Sequence, residues 1–226
     1  MIKLVDILET KNIMRKDSQF SGSFRKYQAY NSFIRLLRKN CKQIIKLYEH
    51  GHGIYLYRGV KKHFDNIVKL NIRQNRVPGF LDEQMHALSN EVVEEMGGVA
   101  HRGNSIFCTT STTNAKNWGQ MYVVFPIDGF DVTYFTKEKD IYMYNDLDKI
   151  WKNWGDKPEQ EIKKIVKDLY IERGISFDVE AIFEQREKKI SEYLINGKFY
   201  YAIKAHDIDI GTNMNILLGD VAGDKR

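Results

Sequence analysis

Three short stretches hold the side chains whose types and spacing could do chemistry together. The first is YLYRG, residues 55–59, where Arg58 interrupts a run of tyrosines and aliphatics and Gly59 follows at once. A guanidinium is rarely buried alone, and its planar fork suits paired hydrogen bonds to a phosphate or carboxylate. A glycine beside it lets a ligand approach the backbone closely. The plainer alternative is an arginine paired with a core acid, or one turned outward from an edge strand. The second stretch is SIFCTTSTT, residues 105–113, an apolar start followed by Thr109, Thr110, Ser111, Thr112 and Thr113. Capping the helix suggested by NAKNWG needs one hydroxyl, from Thr112 or Thr113. The others could orient a neighbouring carboxylate or a ligand ribose. The third is SEYLINGKFYYAI, residues 191–203, with Glu192 at the doorway of an apolar segment. Glu192 is either a solvated strand-start residue or a carboxylate held in a cleft by hydroxyl donors.

The elements that must position these residues follow from periodicity. Residues 23–49 place Tyr27, Tyr30, Ile34, Leu37, Cys41, Ile44, Ile45 and Tyr48 at three- and four-residue steps, which predicts one long amphipathic helix. Ser21 or Ser23 could cap it, and HGHG at 50–53 ends it. GIYLYRGV then reads as a strand, and VPGFLDEQMHALSNEVVEEMGG as a helix from about Asp82 to the stop at Gly97 and Gly98. SIFCTT, MYVVFPI and DVTYF read as strands, with a short helix over TTNAKNWG. Residues 146–190 are charged and helical in pattern, through DLDKIWKNW, PEQEIKKIVKDLYIER and VEAIFEQREKKI. EYLI and KFYYAI suggest a hairpin across Asn196-Gly197, and NILLGDVAG a last short strand. Helices lead, and strands then mix with helices without βαβ alternation. That predicts an α+β fold, with no GxGxxG or P-loop pattern to support a doubly wound nucleotide-binding sheet.

With 226 residues, 42% of them hydrophobic, and three prolines, the chain suits one folded region, expected over 54–226, with a basic helical segment over 1–53 packed on it. From Lys11 to His50 there are ten Lys or Arg against Asp17 and Glu49, a surplus of eight that leaves the rest at −3. Such a segment could steer an acidic or nucleic-acid-associated partner, or it could simply be a solvated helix face. Cys41 and Cys108 resemble no metal cluster, and His50 with His52 lack a third ligand, so no metal is expected. MIKLVDILETKN has no signal-peptide core and no run reaches 18 apolar residues, which predicts a cytoplasmic protein without membrane attachment. Trp151 and Trp154 share a helix face and suggest packing. Arg76 and Arg102 read as surface arginines by default, with contact to a cofactor's phosphates or to an acceptor as the alternative.

Taken in order, an aromatic-Arg-Gly strand, FCTTST followed by NAKNWG, and ISEYLI resemble the mono-ADP-ribosyltransferases of the arginine–serine–glutamate type. The wider pattern, from RVPGF through SIFCTTS to WG and YVVFP, is similar to the ADP-ribosyltransferase-like proteins encoded by bacteriophages, over roughly residues 54–204. The resemblance implies a mixed β-sheet core of the ADP-ribosyltransferase type, with NAD as substrate. It implies that Arg58 holds an NAD phosphate and braces the site, and that the Gly59 backbone holds the nicotinamide carboxamide. It further implies that Thr109 positions the glutamate, that Thr110 and Ser111 shape the strand end, that Trp118 stands near the nicotinamide, and that Glu192 is the catalytic acid. Breaking the nicotinamide–ribose bond builds positive charge on the ribose, which a fixed carboxylate stabilises while an arginine orients the diphosphate.

Two positions depart from the family pattern. Thr109 stands where the family has the first serine of its motif, which keeps the hydroxyl. Arginine-modifying members carry Gln or Glu two residues before the catalytic Glu, where this chain has Ile190. The acceptor therefore stays open among host protein side chains, nucleic acid and water. Water as acceptor would make the protein an NAD glycohydrolase. A third reading is a catalytically silent phage binding or virion protein of the same fold.

Overall fold

The computed structural model describes residues 32–50, 54–61, 67–77, 79, 81–137, 144–183 and 192–205. Several expectations lie outside these residues: the helix start and caps near Ser21 and Ser23, His52, most of VEAIFEQREKKI with Ile190, and the NILLGDVAG strand. The chain divides into two compact units, Met1–Asn40 and Cys41–Arg226. In the first, residues 32–40 form helix α1, with Phe33, Ile34 and Leu37 buried and Arg35 and Lys39 exposed.

The second unit is α+β, as the element order predicts. It opens with α2 (Lys42–His50), whose first turn is tied down by Asp128, which accepts from the Gln43 backbone N–H at 2.8 Å. Ile44, Ile45, Leu47 and Tyr48 are buried along one side of α2. The long helix read over 23–49 is thus two helical runs in the described part, interrupted at Cys41.

Two four-stranded antiparallel sheets follow. The first has the order β1 (Tyr57–Val60), β4 (Gln120–Pro126), β8 (Phe199–Lys204), β2 (Ile67–Asn71). The second has the order β3 (Ile106–Cys108), β7 (Tyr193–Asn196), β5 (Asp131–Phe135), β6 (Ile175–Ser176). β2 has no clear strand signal in the sequence: IVKLN is partly exposed at the sheet edge, and its Lys69 lies over the Phe199 ring at 3.6 Å.

The expected hairpin across Asn196-Gly197 does not form. β7 pairs with β3 on one side and β5 on the other, while β8 pairs with β4 and β2 in the other sheet. Both edges of β7 are therefore spent, so the chain crosses between sheets instead of folding back. The Asn196 side chain serves this crossing by donating to the Asn104 carbonyl at 2.7 Å.

Three helices cover one side of the second sheet. α3 (Glu83–Glu95) starts at the predicted Asp82, whose carboxylate accepts from the Gln84 and Met85 backbone. α5 (Tyr144–Trp154) and α6 (Glu159–Glu172) pack beside it. Met85, Leu88, Val92 and Val93 of α3 meet Leu147, Ile162, Val166 and Tyr170, and all pack on Phe107, Phe135 and Leu194 of the sheet. Trp151 joins this core at its margin, whereas Trp154 is an exposed hydrophobic. Among the described residues no helix is long and apolar enough to cross a membrane.

Candidate active site

Among the described residues, one isolated backbone bridge links the two sheets. Tyr57 of β1 exchanges both backbone hydrogen bonds with Thr109, at 2.7 and 2.8 Å, just past the end of β3. On its other side β3 pairs with β7 in the register Phe107↔Leu194 and Cys108↔Tyr193. Continued by one residue, that register sets Thr109 across from Glu192. Directly opposed residues put their side chains on the same face, with Cβ atoms about 4.5–5.5 Å apart. Arg58, Thr109 and Glu192 thus stand on three neighbouring chain segments, although 134 positions separate the first from the last.

After the Tyr57–Thr109 bridge the strands part. The next pair along this edge would be Gly59 with Phe107, but the Phe107 carbonyl accepts instead from Arg58 Nη1 at 3.0 Å. The guanidinium also hydrogen-bonds the Tyr200 phenol, a contact that works against the rise that burial imposes on its pKa. Arg58 is half-buried and acts as a brace across the opening. Because backbone groups alternate along a strand, the N–H and C=O of Gly59 point toward the same edge as those of Tyr57, into the gap.

Gly59 meets a second demand. A Cβ there would lie 2.0 Å from the Ala115 carbonyl oxygen and 2.6 Å from Trp118 Cβ. The missing side chain is what lets α4 (Thr112–Asn117) and Trp118 press against β1. Trp118, half-buried at the C-terminal end of α4, forms a wall beside the Gly59 backbone.

The five hydroxyls divide their work. Thr109 is fully buried, and its Oγ1 accepts from the Ser111 N–H at 3.0 Å, which uses a lone pair and not the proton. Thr110 is hydrogen-bonded to the Tyr193 phenol. Ser111 is the N-cap of α4, accepting from the Asn114 N–H at 3.2 Å, so the cap falls before both Thr112 and Thr113. Thr112 and Thr113 are exposed in the first turn.

Glu192 is 3% exposed, so it is not the solvated strand-start residue that the sequence left as one alternative. Cys108 reports the local field. Burial pushes its thiol up to about 12, the Arg58 charge pulls the other way, and the Glu192 carboxylate adds to the rise. Both charged groups therefore lie close enough to Cys108 to act on one atom from opposite signs.

Sequence reasoning missed three participants. Phe107 supplies the carbonyl that Arg58 grips, Tyr200 supplies a phenol, and Tyr57 makes the bridge. Two of these act through backbone, which carries no residue-type signal. Arg76 and Arg102, read as surface residues by default, place their guanidinium carbons 4.0 and 5.0 Å from the centre of the Phe107 ring. Two guanidinium groups thus stack on the ring of the phenylalanine whose carbonyl accepts from a third, Arg58. Among the described residues, no three or more His, Cys, Asp or Glu are grouped to hold a metal ion.

Comparison with protein-family models, curated proteins and solved structures finds no match in any of the three.

Proposed function

We propose that this protein is an NAD-dependent mono-ADP-ribosyltransferase, with its two-sheet core of the ADP-ribosyltransferase type, of the kind that bacteriophages use against host macromolecules in the host cytoplasm. One observation carries the reading. The Tyr57–Thr109 bridge and the Cys108–Tyr193 register gather the three segments of an arginine–serine–glutamate resemblance beside one bridge between the sheets. Three motifs matched by chance along a sequence have no reason to converge in space.

In this reading NAD lies in the opening between β1 and β3. The Gly59 backbone holds the nicotinamide carboxamide, with Trp118 beside it. Arg58 fixes the rim of the opening and faces the diphosphate. Nicotinamide leaves with the electron pair of the glycosidic bond, and the Glu192 carboxylate stabilises the cationic ribose. Thr109, its lone pair already engaged by Ser111, has its proton to donate toward Glu192. The acceptor nucleophile attacks the anomeric carbon and loses its proton. The basic residues between Lys11 and His50 steer an acidic target, protein or nucleic acid, toward the site.

The test is purified protein incubated with labelled NAD and bacterial lysate, beside Glu192→Gln. Label carried by macromolecules with wild type alone supports the transferase, and its release by protease or nuclease names the target class. Free nicotinamide without transfer would replace this reading by an NAD glycohydrolase, and no NAD consumption would remove enzymatic function at this site.

A further inference from the structure

Behind β7, on the side covered by helices, Thr133 of β5 stands across from Leu194. A valine or isoleucine would be the ordinary choice at such a position, since the residue is 1% exposed and faces the core. Its Oγ1 is buried with no hydrogen-bond partner among the described residues, and so is Oδ1 of Asn90 on α3. Both residues line one small cavity, together with Arg102, Tyr170, Leu194 and Phe135. The cavity offers about 20 Å³ to the centre of a water molecule. A single water needs roughly 10–15 Å³ by that measure, along with two or more polar partners. An apolar cavity of that size would stay dry, but this one presents a hydroxyl, an amide oxygen and a guanidinium.

We propose that this cavity binds one buried water as a fixed part of the fold, accepting from the Thr133 hydroxyl and donating to Asn90 Oδ1. The water ties α3 to β5 directly behind Leu194, two residues beyond Glu192. It also lies beside Arg102, whose guanidinium stacks on Phe107 at the edge of the candidate site. A hydrated polar pair of this kind fixes the spacing of helix and sheet more sharply than apolar contact, because a hydrogen bond tolerates little change in length.

A high-resolution crystal structure and the variants Thr133→Val and Thr133→Ser test this. The expected result is a water oxygen about 2.5–3.0 Å from both Thr133 Oγ1 and Asn90 Oδ1. Thr133→Val, which keeps the shape and removes the hydroxyl, should lose that water and lower the unfolding midpoint by about 2–4 °C. Thr133→Ser should retain the water. No density at this position overturns the proposal. So does a Thr133→Val variant that melts at the same temperature or higher, because removing an unbonded buried hydroxyl relieves a cost instead of adding one.

Discussion

The backbone carbonyl of Phe107 accepts a hydrogen bond from the Arg58 side chain of β1, at 3.0 Å, and not from a β1 backbone N–H. That substitution of a guanidinium for a backbone N–H is what lets β1 and β3 separate after one bridge without leaving a buried carbonyl unsatisfied. Arg58→Ala should therefore lower stability by about 1.5–3 kcal/mol, the usual worth of a hydrogen bond to a charged group. It should also weaken NAD binding. Arg58→Lys keeps the charge but not the fork and should recover only part of either. Thermal unfolding and calorimetric titration with NAD check both, and an alanine variant unchanged in the two would remove Arg58 from the opening.

Glu192→Gln keeps the size of a buried side chain and removes its charge. Turnover of NAD should fall by ~10²-fold or more, comparable with the loss of one preorganised transition-state contact. NAD affinity should change little, because the charge on the ribose develops only as the bond breaks. Wild-type turnover in this variant would move catalysis elsewhere.

The Thr109 hydroxyl accepts from the Ser111 N–H, which fixes the oxygen in the turn and leaves its proton for the donation toward Glu192 proposed above. Thr109→Val should lower kcat with a small effect on KM, while Thr109→Ser should stay near wild type. A serine variant as slow as the valine variant would show that the methyl group, and not the hydroxyl, matters. Ser111→Ala removes the α4 cap and should cost about 1 kcal/mol of stability.

Gly59→Ala would drive a methyl group into the Ala115 carbonyl and the Trp118 side chain. Two rigid backbone segments cannot both yield, so the variant should lose roughly 1–3 kcal/mol or more by overpacking. Chemical denaturation reads this directly, and Trp118 fluorescence reports whether the wall has shifted. A variant with native stability and native fluorescence would mean that α4 is free to move off β1.

His86 and His101 should give the protein a pH-dependent stability. Burial holds both imidazoles below the ordinary value of 6.5; the Arg102 charge adds to this at His86, and Glu94 opposes it at His101. The folded state thus resists a proton that the unfolded chain takes up near 6.5. Stability is fully present above that pH and is lost as pH falls below it toward the folded values. The unfolding midpoint should fall on going from pH 7 to pH 5, and His86→Gln should flatten that dependence. A midpoint flat over this range in wild type would contradict it.

Much of the local structure was legible in the sequence because it depends on near neighbours. Asp82 starts α3 where the cap signal put it, and DVTYF and the run from Gln120 to Pro126 are strands as their patterns read. The Asn196-Gly197 signal failed for a non-local reason, since both edges of β7 already had partners. The cap of α4 falls on Ser111, whose N–H donates to Thr109 Oγ1, and not on Thr112 or Thr113.

What the sequence determined by itself is the set of candidate site residues and their order, Arg58, then Thr109, then Glu192, together with the α+β class. Those follow from residue type and short-range period. Only the tertiary structure decided that the three meet, that Glu192 is buried, and that Arg58 grips a main-chain carbonyl. Strand partners are chosen by whole-sheet register between residues up to 136 positions apart, such as Ile67 and Ile203, and carbonyl groups are the same in every residue. Neither leaves a mark on the order of the amino acids.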